Sequence, residues 1–136
     1  MKNLLLLPIL FTLICCSKED DPAPISDELL AGASSKTWII TDFKSAGVAD
    51  FKDQPVCVQD DLWVFFATGE MEQNEGASKC QPSDPQVYAE GSWVLFPESN
   101  TLRLTRSTIV NFNVVTLTKN EMTLTSGSDK YYFSSL

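Results

Sequence analysis

Thr101-Leu102-Arg103-Leu104-Thr105 alternates apolar and polar residues, and Glu121-Met122-Thr123-Leu124-Thr125 does the same after a Lys119-Asn120 turn. Between them runs Ile109 to Thr118, rich in branched side chains. A period of two marks a half-buried strand, because successive side chains leave the pleat on opposite sides. Three such segments joined by short turns predict antiparallel neighbours with one apolar face.

Working outward, the same pattern recurs in both directions. Ser126-Gly127-Ser128-Asp129 turns the chain into a last strand, Lys130 to Ser134. Upstream, Pro97-Glu98-Ser99-Asn100 separates the alternating block from Val87 to Phe96, in which Gly91 reads as a bulge or bend. Further strands are predicted at Thr37 to Phe43, at Asp61 to Phe66 before the Thr68-Gly69-Glu70 turn, and, more weakly, at Glu70 to Glu75. The segments from Phe43 to Asp60 and from Ser78 to Gln86 are long and irregular. Ser26-Asp27-Glu28-Leu29-Leu30-Ala31-Gly32 predicts one short N-terminal helix, with Ser26 as cap, acids in the first turn and Gly32 at the end. No further helix is expected. The reading is all-β: a small antiparallel up-and-down barrel of about eight strands, the number at which a sheet can close and lose its edges. An open sandwich carries the same pattern.

The N-terminus has a different character. One basic residue, Lys2, precedes an apolar run from Leu4 to Ile14. That is the shape of an export signal, and it is too short to span a bilayer, which takes about 20 apolar residues. The run ends in Leu13-Ile14-Cys15-Cys16, which resembles the lipobox of bacterial lipoprotein signals, with Leu13 and the small Cys15 placed for modification of Cys16. The expected organisation is a signal peptide over 1–15, a lipidated Cys16 with an acidic tether over 16–25, and a β-barrel domain over 26–136. The Ser17-Lys18-Glu19-Asp20-Asp21 run resembles the acidic surface-export signal of some Gram-negative lipoproteins. It implies an outer-membrane lipid anchor with the domain at the cell surface; the periplasm-facing leaflet is the alternative. The membrane, reached through the anchor, is the partner this reading names.

The formal net charge is −8, and loss of Lys2 with the signal makes it more acidic. Such a chain lacks the basic stripes that nucleic acid requires, and it is repelled by anionic lipid. Of the four cysteines, Cys15 leaves with the signal and Cys16 takes the lipid. Cys57 and Cys80 remain in an oxidising compartment, where a disulfide is the natural reading. A zinc site would need two further ligands in a chain with no histidine, so carboxylates would have to supply them. Closing that loop contributes on the order of 3 kcal/mol in the chain-entropy account. Without histidine the common general base and the Ser-His-Asp and Cys-His arrangements are missing. Asp60-Asp61 reads as a strand-start turn or surface pair, since neighbours on a strand point to opposite faces. Neither Glu90 nor Asp84 has a companion suggesting a glycosidase pair. No enzyme, no cofactor and no metal are expected.

One series of residues, in order, resembles a family. It comprises Trp38, then Cys57-Val58-Gln59-Asp60-Asp61-Leu62-Trp63 with Phe65, Gly69, and Glu75-Gly76 ahead of Cys80. Gly91-Ser92-Trp93, Leu102-Arg103-Leu104, Val114 with Leu117-Thr118, and Met122-Thr123-Leu124 complete it. Together these resemble the lipocalin-like domain of Gram-negative bacterial lipoproteins, over roughly residues 28 to 136. The resemblance implies a calycin-type barrel, a disulfide between the two cysteines, and binding of a small apolar ligand. One departure is Lys36, where lipocalins usually place glycine two residues before the first-strand tryptophan. The ligand-binding candidates are Trp38, Trp63, Phe65, Trp93, Phe112 and Phe133. Not all six are expected to face inward: Trp63 and Phe65 share one face of their strand, while Leu62, Val64 and Phe66 share the other. Eight short strands stand at the margin between a filled interior and room for one ligand. The functional expectation is therefore a membrane-anchored lipoprotein that binds a small apolar molecule. The alternative is a filled barrel serving as a protein-interaction or structural accessory module through its long loops.

The anchor is directly testable. Cys16→Ala is expected to move the protein from the membrane to the soluble fraction on cell fractionation; unchanged partitioning would remove the lipid from this account.

Overall fold

Ser35–Lys44 (β1) pairs antiparallel with both Leu62–Phe66 (β2) and Asp129–Ser135 (β8), and through this double pairing the sheet closes. The intervening strands are Glu70–Asn74 (β3), Val87–Phe96 (β4), Thr101–Thr105 (β5), Ile109–Leu117 (β6) and Glu121–Ser126 (β7). Each pairs with its neighbour in sequence, so the order around the closed barrel is β1 to β8 without a crossover. The computed structural model describes residues 24–48 and 50–136. The signal segment, Cys16 and the tether up to residue 23 lie outside the described residues. Ile25, read from sequence as the end of the tether, packs against the core.

The closed barrel excludes the open sandwich, and alternation sets its interior. Leu102 and Leu104 on β5, and Met122 and Leu124 on β7, are buried, while Arg103 and Glu121 are exposed. Each strand contributes inward side chains to one hydrophobic cluster.

The floor is closed by Asp27–Ala31 (α1). Ser26 caps it by accepting a hydrogen bond from the Leu29 amide at 3.3 Å, and Gly32 ends it at φ +65°, donating to the Glu28 carbonyl. Leu30 and Ala31 are fully buried beneath the barrel. The indole of Trp38 donates to the Leu30 carbonyl at 2.9 Å, which satisfies a helix-end acceptor inside the core. Lys36 takes a role that glycine could not. Its ammonium donates to the carbonyls of Leu29 (2.8 Å) and Lys119 (2.7 Å) and lies 4.2 Å from the Trp38 ring centroid. It ties the helix to the β6–β7 turn. Burial, with the nearby Lys119 charge second, holds its pKa below the ordinary lysine value.

Three pairings shift register, between Ile40 and Asp42 on β1, between Gln73 and Asn74 against β4, and between Val114 and Thr116 on β6. The bend expected at Gly91 is not among them. Register runs continuously through Gly91, which pairs with Met71, and the shift on β4 falls at Tyr88. The glycine has a different cause: a Cβ there would meet the Thr105 carbonyl oxygen at 2.3 Å and Arg106 Cγ at 2.7 Å. Two strands approach here, and the Arg106 side chain lies where a residue at 91 would project. The irregular stretch after β1 is also more ordered than expected, with a 3₁₀ turn at Phe51–Asp53 and a helical turn at Val56–Gln59 (α2).

Gly91→Ala is expected to cost about 1–3 kcal/mol, the usual range for overpacking, because the obstructing atom is backbone. An unchanged denaturant midpoint would show that the two strands separate freely there.

Candidate functional site

The six aromatic candidates all face inward, contrary to the expectation that not all six could. Trp38, Trp63, Phe65, Trp93, Phe112 and Phe133 belong to one buried cluster. Phe66, Phe96 and Tyr132 occupy intermediate positions instead. Trp63 is the hub, with ring centroids 5.0 Å from Phe133, 6.0 Å from Phe112 and 6.4 Å from Phe65. Phe65 meets Trp93 edge-on at 6.2 Å, and the Trp93 indole donates to the Phe66 carbonyl at 3.0 Å. These tilted and edge-to-face contacts are the arrangements aromatic quadrupoles favour. Five of the six therefore pack on each other, and Trp38 joins them in the same buried cluster.

The space left over lies above them, at the mouth opposite α1. It is an apolar pocket of about 200 Å³, open to solvent and lined by Ile40, Phe43, Val48, Phe51, Gln54, Val58, Asp61 and Tyr131. The β1 register shift at Thr41 builds it. Trp38 and Ile40 point inward by simple alternation, which would send Phe43 outward. The extra residue reverses the parity, so Phe43 pairs with Tyr131 and their rings stack at 4.8 Å. Bulges commonly re-aim a side chain in this way. Tyr131 in turn sits 5.6 Å from Phe112 and 6.4 Å from Trp63, so the pocket floor is the top of the aromatic stack. Larger open hollows exist as well. One of about 680 Å³ shares Phe43, Val48 and Phe51 with this pocket and adds Asp42, Asp50 and Lys52. One of about 880 Å³ lies beside α1 with Glu28, Lys36 and Lys119, and those of about 590 and 430 Å³ lie against β6 and against β3 and β4.

Phe51 and Val58 form the roof, held down by the disulfide between Cys57 on α2 and Cys80 in the β3–β4 connection, with Cα atoms 5.1 Å apart. Asp60 reinforces this link. Its Oδ2 accepts from the amides of Ala77 (3.1 Å) and Ser78 (2.8 Å), and a Cβ on Gly76 would meet the Asp60 carbonyl oxygen at 2.0 Å. Asp60 is thus the turn residue expected from sequence, and Asp61 stands at the start of β2 as expected but is partly buried. It lines the pocket, and its Oδ2 accepts from the Tyr88 hydroxyl at 3.1 Å. Tyr88 reaches it from the position where the β3–β4 register shifts. Oδ1 of each aspartate is buried with no hydrogen-bond partner. Neither aspartate is ion-paired among the described residues, where the pairs are Lys44–Asp42 and Lys52–Asp50.

Burial pushes the Asp61 carboxyl up to about 6; the Tyr88 hydrogen bond opposes this, and the charges of Glu75 and Asp60 add to it. Burial and then the Asp61 charge raise the Tyr88 hydroxyl, and burial raises Tyr131. The nearby cation is Arg106, which reaches inward to donate to the amide oxygen of Gln73, a buried polar residue of the barrel wall. Among the described residues no group of three or more His, Cys, Asp or Glu side chains is placed to hold a metal ion.

Sequence reasoning marked the 43–60 segment as a loop of functional length but not the pocket beneath it. The aromatic spacing that nominated Trp63 and Phe65 was a core signal; Phe43, Phe51 and Tyr131 belong to three separate segments that only the closed barrel brings together.

No protein-family model matches the chain, and no curated protein matches it. Among solved structures it is similar to an uncharacterized protein from Bacteroides eggerthii, with a TM-score of 0.54 and 14% sequence identity, over 74% of this chain and 97% of that one. At that identity the likeness is one of fold.

The Asp61 environment has a defined pH signature. Its folded pKa lies above the ordinary 3.8, so between about pH 4 and pH 6 the folded protein holds a proton that the unfolded chain releases. Its stabilising contribution is complete below about 4 and is lost as pH rises through 6. Asp61→Asn is accordingly expected to raise the melting temperature relative to wild type at pH 7.5 and to lose that advantage by pH 4. Equal differences at both pH values would place Asp61 in bulk-like solvent.

Proposed function

We propose that this chain is a lipid-anchored lipoprotein of the bacterial outer membrane, exposed at the cell surface, whose lipocalin-like barrel binds a small ligand at its mouth. The leader and Cys16 motif support the anchor, and the closed eight-stranded barrel is consistent with the family resemblance. The observation that carries the binding reading is the division of the barrel. Its interior is packed with aromatic side chains, while its mouth keeps an apolar hollow under a disulfide-fixed roof. Small-molecule sites are concave and mostly apolar with a few placed polar groups, and this one has that composition at small scale. At about 200 Å³ it lies below the drug-sized range of roughly 300–1,000 Å³. It suits a single ring or a short chain. A long acyl chain would have to displace the Trp63 cluster. The proposed role is binding without catalysis, in keeping with a chain that has no histidine.

Titration of the protein with indole and with 1-hexanol, followed by amide and methyl NMR, is expected to shift Ile40, Phe43, Val58 and Tyr131, with dissociation constants on the order of 1 mM for ligands of this size. Palmitate is expected to give no saturable change at Leu102, Leu104 or Phe112. Saturable palmitate binding with shifts at those residues would relocate the site to the barrel interior. Silence at the mouth with every probe would favour the interaction-module reading.

A further inference from the structure

The polar side of the mouth pocket carries information about its ligand. Phe43, Phe51 and Val58 offer only apolar and aromatic surface, Tyr131 adds a ring that ends in a hydroxyl and Gln54 an amide, and the group of the lining that carries charge at neutral pH is Asp61. That carboxylate has one oxygen committed to Tyr88 and one buried without a partner. An unpaired acceptor shut away from water costs free energy that a donor would recover. The torsion that orients a carboxyl group is soft, so a small turn presents either oxygen to a group entering the pocket. The surrounding ionisable groups favour a cation. Asp60 and Glu75 lie on the Asp61 side. Asp129 lies beside Tyr131, Arg106 lies near both Tyr131 and Tyr88 while hydrogen-bonded to the Gln73 amide, and the exposed Lys52 and Lys44 are paired with Asp50 and Asp42. The tilted Phe43 and Tyr131 rings beside a carboxylate also suit a cation through the ring quadrupole.

We infer that the mouth pocket takes a small organic amine, its apolar body against Phe43, Phe51, Val58 and Tyr131 and its ammonium group donating to the Asp61 carboxylate. This rests on the mouth-pocket reading above and narrows it to a ligand class. A neutral molecule of the same shape would fill the apolar space and leave the carboxylate unpaired. A carboxylate ligand would be repelled by Asp61 together with Asp60 and Glu75. Because the ion pair requires ionised Asp61, amine binding should weaken at acid pH, and binding in turn should lower the pKa of that carboxyl.

The test compares two isosteric probes, 2-phenylethylamine and 2-phenylethanol, with the anion phenylacetate, by NMR titration of the full barrel at pH 7.5 and pH 5. The amine is expected to bind about tenfold more tightly than the alcohol at pH 7.5, with the anion weakest, and to lose most of that advantage at pH 5. Asp61→Asn should reduce amine affinity about tenfold and change alcohol affinity less than about threefold; tenfold corresponds to one charge-assisted hydrogen bond by the usual conversion. The wild-type pH comparison carries the same information without any substitution. If alcohol and amine bind the mouth equally, or amine affinity ignores both pH and Asp61→Asn, the amine assignment is overturned while the pocket stands. If none of the three shifts the mouth residues, the pocket reading fails and the assignment fails with it.

Discussion

The pairing of β1 with β8 is the constraint on which the rest of the structure depends. Once these two strands bond, the sheet has no edge, and its eight strands enclose a channel only as wide as the side chains that fill it. The interior then becomes a packing problem with one solution in view, a stack of rings centred on Trp63. The same closure gives the barrel two ends, which the chain treats differently. At the floor, α1 plugs the opening, and Trp38 and Lys36 satisfy its terminal carbonyls. At the other end the cover is the segment after β1 with its 3₁₀ turn and α2, and a hollow of about 200 Å³ remains beneath it.

That difference is where function can reside. The roof over the mouth has little core of its own, so its position relies on a covalent link from Cys57 to Cys80 and on the hydrogen bonds of Asp60 to the facing turn. A roof fixed in this way can stand over a hollow without collapsing into it. The hollow is also lined by a partly buried carboxylate, Asp61, with one oxygen bonded to Tyr88 and the other without a partner. The partly buried Asp61 lowers stability at neutral pH, and this cost makes sense if the group meets a partner there.

The departures from regular alternation are concentrated where they matter. The β1 shift turns Phe43 into the mouth, and the β4 shift places Tyr88 against Asp61. Both lie at the mouth end of their strands, next to the proposed site. The β6 shift lies at the floor end, where it brings Leu117 back into the core after Val114. A barrel of similar fold with 14% identity indicates that very different side chains can satisfy the closure. The fold alone therefore says little about the ligand, and the argument for one rests on Asp61 and the rings around it.

Much of this was legible in the sequence because it depends on local rules. Alternation in Thr101–Thr105 and Glu121–Ser126, turn residues between short strands, the Ser26 cap and the Gly32 stop each act within a few residues, and the strands and the first helix follow from them. The Cys57–Cys80 pair is the expectation once Cys15 and Cys16 are read as leader and anchor, and the disulfide joins those two residues. What the tertiary structure alone decided is non-local. Closure over an open sandwich depends on whether β1 reaches β8, nearly a hundred residues away. The inward turn of Phe43 depends on one extra residue that is recognisable only against its partner strand. The burial of Asp61 depends on a loop, a strand and a bulge converging from three parts of the chain. A pattern of period two specifies which residues share a face, but whether a face closes on itself, and what is left unfilled at its end, is settled only when distant strands meet.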